Sequence, residues 1–369
     1  MPTLAMFATL VLLVSAMLGI SSPGVLASPA VAETVRAGAA RAAAGKARLS
    51  EVPNGHMVAQ VKSATAQFTY RLGTSNSPDH PIGVFADTFK QQVELHSQGR
   101  ISVQVFPRSQ LGAELTLLNS LVAGQLDLAI VAAPIVGNIS RAVQLAELPF
   151  LFPDWRAARK VLEGEAGQMI LRTFEVRGAK GLAFGALGFR GLLNNRRPVN
   201  TAADLRGMKV RVIENPLFVA TWQGMGANPV PMAWTEVYMA LQQKTIDAVD
   251  TSIAGMIDTK LYEVAKYLAQ TNHIYTSSLI LMNLAKFRAL PPDLAQVVLN
   301  AAEAGAGESW KTAAVIEETG VETMKKHGVT VTVPPREEFV AATKAVYNRF
   351  VPEVGAEIYG KAQAVLGSR

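Results

Sequence analysis

Apolar positions along the chain switch period repeatedly, and each switch marks an element. A short strand is predicted over Phe68 to Leu72, followed by the turn-rich run GTSNSPDHP and then Val84, Phe85, Phe89 and Val93 at helical spacing, ending near Gly99. Ile101, Val103 and Val105 alternate as a half-buried strand should. After the loop PRSQLG, Leu115 to Val122 reads as a helix closed by Gly124, and Leu126 to Ala133 as a buried strand. Past Pro153 come helices near Trp155 to Leu162 and Gly167 to Val176, then an apolar strand from Gly181 to Gly188. Met208, Val210 and Val212 alternate with Lys209, Arg211 and Ile213, which sets Arg211 on the strand face opposite the more uniformly apolar one. Helices follow near Leu217 to Met225 and Trp234 to Gln243, with strands at Ala248 to Ser252 and Leu279 to Leu284. Beyond Pro291 and Pro292 a long alanine-rich helical pattern reaches about Lys326, and Val329 to Val333 adds a strand before a helical tail. Strands alternating with helices predict an α/β fold with parallel pairing, in which ligands bind beyond the carboxyl ends of the strands.

Composition narrows this picture. A length of 369 residues suggests about two domains. The chain has no cysteine, which excludes a disulfide framework, a thiolate metal site and a cysteine nucleophile. An apolar run from Ala5 to Ile20 leads to small residues and the step Val25, Leu26, Ala27, the pattern of a signal peptide over 1–27 and of export to the periplasm. The run is shorter than the ~20 residues that span a bilayer comfortably, although the first basic residue is Arg36 and an uncleaved anchor is the alternative. Residues 28–66, alanine-rich and without sustained apolar period, read as a linker or leader remnant. The formal charge is +6, but half of it comes from this region, where Arg36, Arg41, Lys46, Arg48 and Lys62 face Glu33 and Glu51. The remainder is interspersed with acids, a poor footprint for nucleic acid, and no nucleic-acid partner is expected.

Candidate chemistry centres on Arg190 in GFRGLLNN and Arg211 in DLRGMKVRV, two guanidinium groups in apolar, strand-like segments. Guanidinium is permanently charged and fits a carboxylate through two parallel hydrogen bonds, so the pair points to a small organic anion. The bland readings are a solvated strand face for Arg211 and a structural ion pair with an acid such as Asp204 for Arg190. His56, His80, His96, His273 and His327 lack metal-ligand spacing, so no metal is expected. The chain carries no G-x-S-x-G, P-loop, H-E-x-x-H or strand-linked G-x-G-x-x-G, and neither a cofactor nor an enzymatic activity is expected.

From about Phe68 onward, the collinear segments FPRSQLGAE, ELPFLFPD, GFRGLLNNRRPVNTAADLRGMKVRV and NPVPMAWTEVYMALQQKTIDAVD resemble the periplasmic solute receptors of tripartite ATP-independent periplasmic (TRAP) transporters. The resemblance implies a two-lobed α/β periplasmic binding protein fold, with a ligand cleft between the lobes and a long helix spanning both. It implies lobe I over 67–187 plus 277–316 and lobe II over 188–276 plus 317–369. As partners it implies a small organic acid and the small and large membrane subunits of a permease. Arg211 falls on the family's carboxylate-anchoring arginine and Arg190 on an assisting one. Trp234 falls where an aromatic residue lines the pocket, and Thr251 where a polar side chain reaches the ligand. Ser75, Asn76 and Glu114 match frequent first-lobe contacts. The bland readings are a core aromatic for Trp234, turn formers for Ser75 and Asn76, and an exposed first-turn acid for Glu114. The chain departs from the family after Asp247, with Ala248 and Asp250 in place of the common Gly and Glu, and with Thr251 in place of an amide or imidazole. A periplasmic enzyme acting on an organic acid and a ligand-sensing partner of a membrane signalling protein are the competing readings.

Overall fold

A computed structural model describes residues 66–367; the leader over 1–27 and nearly all of the 28–66 segment lie outside them. The first half opens with β1 (Phe68–Thr74), α1 (Pro81–His96), β2 (Ile101–Phe106), α2 (Glu114–Val122) and β3 (Leu128–Ala132). It continues through α3 (Ala133–Val136), a 3-10 segment (Arg141–Glu147), α4 (Trp155–Glu163), α5 (Glu165–Arg172) and the long strand β4 (Ala179–Asn194). Then follow β5 (Lys209–Val212), α6 (Pro216–Gly224), β6 (Asn228–Pro231), α7 (Val237–Gln242), β7 (Ala248–Ser252), α8 (Ile253–Asp258) and β8 (Tyr267–Ala269). The chain closes with β9 (Tyr275–Asn283), α9 (Leu284–Arg288), α10 (Pro292–Lys326), β10 (Thr330–Thr332), α11 (Arg336–Val354) and α12 (Ala356–Leu366).

The strands run in the order β2-β1-β3-β9-β4-β7-β5-β6, with β8 on β4 and β10 on β8. Parallel pairing holds within β2-β1-β3 and within β7-β5-β6. The expectation of parallel pairing fails at the centre, where β9 runs antiparallel to β3 and β4, and β4 antiparallel to β7 and β8. The reason is β4 itself. It is twice the length read from the apolar run at Gly181 to Gly188, pairing with β9 through Phe189 and with β7 from Arg190 onward. The change of partner follows an irregularity between Ala186 and Gly188, where Gly188 has φ +105, a conformation that side chains with a Cβ rarely adopt.

Helix α10 packs against α1, β4 and α8. Its 35 residues extend about 50 Å at 1.5 Å per residue. Gly305 lets its first half close on α1, since a Cβ there would sit 2.8 Å from the Phe85 ring. Gly320 lets its second half close on α8, since a Cβ there would meet Ile253 at 2.5 Å. Strand β6 escaped the apolar pattern because its four residues, NPVP, include two prolines; proline removes a donor and suits an edge strand, which β6 is. Among the described residues, no helix is long and apolar enough to cross a membrane.

Candidate functional site

Strands β4, β7 and β5 lie side by side and bring their polar residues into one place. In register, Arg190 faces Ser252, Gly191 faces Thr251, and Arg211 faces Val249. The bland reading of Arg211 as a solvated strand residue is overturned, because Val210, Arg211 and Val212 are all buried, Arg211 to 2% exposure. Both faces of β5 are covered, so alternation carried no information about which one met water.

The Arg211 guanidinium is held along one edge. Its Nε and Nη2 donate to the Met232 carbonyl at 2.9 and 2.7 Å, and its central carbon lies 5.4 Å from the Trp234 ring centroid. That grip leaves Nη1 and the outer proton of Nη2, the fork geometry suited to a carboxylate. Burial and the like charge of Arg190 push the Arg211 pKa down to about 10, with Asp250, Glu114 and Glu214 opposing the shift, so it stays cationic at neutral pH.

Arg190 is engaged at all three nitrogens: Nε donates to Asp250 Oδ1 at 2.7 Å, Nη2 to the Asp250 carbonyl at 2.5 Å, and Nη1 to Thr276 Oγ1 at 3.3 Å. The sequence reading of an ion pair was right in kind and wrong in partner. Asp204 instead accepts from the backbone N–H groups of Asn200 and Thr201 and caps its own 3-10 turn. Asp250, fully buried, is a hub that also accepts from Trp222 Nε1 at 2.9 Å and lies 3.3 Å from His273 Nε2. Burial alone would raise the Asp250 pKa, but Arg190 and His273 hold it well below the usual carboxylate range. Sequence reasoning noted Asp250 only as a departure from the family and missed its partners Trp222 and His273, which lie 28 residues before it and 23 after it in the sequence.

Two further acids border the arginines. Glu114, half-buried at the start of α2, accepts from the Ala132 N–H at 2.7 Å, and burial raises its pKa against the pull of that N–H and both arginines. Glu147, fully buried, accepts from Thr276 Oγ1 at 3.2 Å, and burial pushes it up to about 8 despite Arg190.

Six of the seven residues singled out in the sequence, Asn76, Glu114, Arg190, Arg211, Trp234 and Thr251, line one narrow cavity of about 30 Å³. Trp234 opens a 3-10 turn rather than the helix expected there, and it packs against Gly255, where a Cβ would lie 2.9 Å from Thr251 Oγ1 and 3.3 Å from the indole. Ser75 falls outside, in an adjoining cavity of about 340 Å³ that shares Trp234 as a wall and includes Arg108 and Tyr238. The arginine cavity also takes in His80, Leu187 and Ile213, none of which the sequence reading placed there. Where the loop after β1 meets α8, Asp258 Oδ2 accepts from Ser77 N at 3.3 Å and Asn76 Nδ2 at 3.4 Å.

A profile of the family described as bacterial extracellular solute-binding protein, family 7 (DctP), matches residues 72–353. A solute-binding protein of Verminephrobacter eiseniae is 35% identical over 294 residues, 79% of this chain and 88% of that protein. The crystal structure of a TRAP periplasmic solute-binding protein from Bordetella bronchispeptica, with bound density assigned to pantoate, aligns with a TM-score of 0.78 at 34% identity, covering 81% of this chain and 99% of that one. A second, from Polaromonas sp. JS666 with bound D-erythronate, aligns with a TM-score of 0.79 at 32% identity, covering 82% and 100%. The chain therefore belongs to family 7 of the bacterial extracellular solute-binding proteins, the TRAP-type receptors that bind a solute rather than convert it.

Proposed function

We propose that this receptor captures a small organic acid by pairing its carboxylate with Arg211 and delivers it to the small and large membrane subunits of a TRAP permease. The observation that carries the proposal is the buried Arg211 guanidinium, clamped to Met232 on one edge and open to the cavity on the other. Burial first and the neighbouring Arg190 cation second lower the Arg211 pKa, and an anion at the cavity offsets both. Cations in a low-dielectric cleft also steer anions inward.

In this reading Arg190 adds a secondary contact, and Trp234 packs the ligand body. Thr251, Asn76 and Glu114 meet its polar groups, while Ser75 lies further out toward the adjoining cavity. The two bodies that close are 67–187 with 277–316 and 188–276 with 317–369. A cavity of about 30 Å³ has room for only a water or two, so an organic acid enters when these bodies part. A ligand that touches both favours the closed form by its differential affinity, and a permease can distinguish the two shapes. Export by a leader over 1–27 completes the reading and sets the receptor in the periplasm. D-erythronate and pantoate, reported in the two similar structures, are both hydroxylated monocarboxylates, which makes that class the first to test here.

The test is mass spectrometry of ligand released from freshly purified protein, followed by calorimetric titration of the acid found. Release of an unchanged organic acid is the expected result. Turnover of that acid, or binding indifferent to its carboxylate, would sink the reading.

A further inference from the structure

The loop side of the cavity holds one side chain with a nitrogen that neither the arginine chemistry nor the helix cap uses. His80 is 3% exposed and lines the arginine cavity. It is the N-cap of α1, and its Nδ1 accepts from the Ile82 N–H at 3.2 Å. A ring nitrogen that accepts a hydrogen bond carries no proton, so in the neutral imidazole the proton resides on Nε2. Burial pushes the His80 pKa down to about 4 against the charge of Asp258, so the ring is neutral at any pH near 7. Asp258 does not absorb the remaining proton: its Oδ2 accepts from Ser77 and Asn76, and His80 Nε2 is buried with no hydrogen-bond partner among the described residues. A buried N–H without an acceptor is unfavourable, and an oxygen arriving in the cavity satisfies it.

The ring cannot simply turn away. The Ser77–Pro78 turn lies against the first turn of α1 so closely that a Cβ on Gly83 would sit 2.0 Å from the Ser77 carbonyl, and the His80 N–H donates to that same carbonyl at 3.2 Å. The loop therefore fixes the backbone that carries the imidazole, while the cap to Ile82 fixes its rotation and tautomer.

We propose that His80 is a specificity-determining ligand residue, donating its Nε2–H to a hydroxyl or oxo oxygen on the carbon chain of the acid whose carboxylate Arg211 holds. The inference rests on the receptor reading above. It makes hydroxy and oxo acids better ligands than unsubstituted alkanoates of the same length, because only they bring a second acceptor to a donor already desolvated.

Calorimetric titration of the full chain with D-erythronate tests it, using His80→Asn, His80→Gln and Arg211→Lys beside the unsubstituted protein. Asn keeps a short oxygen to cap Ile82 but does not reach the cavity, whereas Gln reaches the Nε2 position with an N–H and gives up the cap. The expected result is about a tenfold loss of affinity for His80→Asn with its melting temperature held, and recovery of most of the affinity in His80→Gln at a lower melting temperature. The loss in His80→Asn should disappear for one of the three mono-deoxy analogues of D-erythronate, the one lacking the oxygen that His80 meets. Nitrogen-15 spectra of labelled histidine should show His80 protonated at Nε2, with that resonance shifting on binding. Unchanged affinity in His80→Asn where Arg211→Lys binds weakly overturns the inference alone, as does the opposite tautomer or a loss that persists in all three analogues. Failure of the unsubstituted protein to bind D-erythronate or any acid recovered from it overturns the receptor reading and this inference together.

Discussion

The two walls of the cavity are built on opposite principles. On the wall of β4, β5 and β7, charged groups are buried but engaged: Arg190 uses all three nitrogens, Asp250 receives Arg190 and Trp222, and Arg211 is clamped to a carbonyl. On the loop wall that follows β1, His80 Nε2 is buried and lacks a partner among the described residues, as does Ser75 Oγ beside it in the adjoining cavity. The first wall is preorganised to hold one charge in one place, since a fixed guanidinium needs no reorganisation when the anion arrives. The second is incomplete until something supplies oxygen atoms or water. Under the proposed reading, the carboxylate falls to the first wall and selection among acids to the second.

The sharpest way to break the contrast is Arg211→Lys. Lysine keeps the charge but loses the fork and the grip on Met232, and affinity for the acid should fall at least ~100-fold by calorimetry. A loss below threefold would mean that charge alone holds the ligand. The hub comes next: Asp250→Asn should lower unfolding free energy by on the order of 3 kcal/mol in urea denaturation without ligand, because it leaves Arg190 buried without its counter-charge. Its effect on affinity should be smaller than that of Arg211→Lys, and the reverse ranking would reassign the anchor to Arg190.

Trp234→Ala should weaken binding about tenfold through lost packing against the ligand and Arg211, read as a faster dissociation rate. Gly255→Ala should cost a few-fold in affinity by forcing the indole and Thr251 apart, with little change in stability.

The smallest effect on binding and the clearest on pH belongs to Glu147. Its folded pKa of about 8 exceeds the ordinary 4.5, so the stability of the protonated form is fully present below pH 4.5 and is lost as pH rises through about 8. Glu147→Gln should flatten that decline and raise stability at pH 8, measured by urea unfolding from pH 5 to 9. A decline unchanged in the variant would move its origin elsewhere.

Most of the elements were legible because they carry long periodic patterns. The α10 pattern ran from the tandem prolines to Lys326 as read, and β1, β2 and β7 appeared where alternation or an apolar run placed them. The elements that escaped were short or unusual, such as α3, α8 and the proline-bearing β6, each too brief to establish a period. The two arginines were legible as chemistry, because a guanidinium in an apolar strand needs an anion or an acid. Which of these each one would meet was not.

The sequence by itself determined the α/β class, the long helix, the family and the residue types that gather at the cavity, since all of these rest on local pattern or on collinear segments. Only the tertiary structure decided that β4 crosses between two groups of strands, that Arg190 pairs with Asp250 rather than Asp204, and that Ser75 lies outside the arginine cavity. It also decided that His80 lines that cavity with its Nε2 unpartnered among the described residues. These outcomes depend on strand register and on side chains distant in sequence, and a hydrogen bond is satisfied or left open by neighbours that no local window contains.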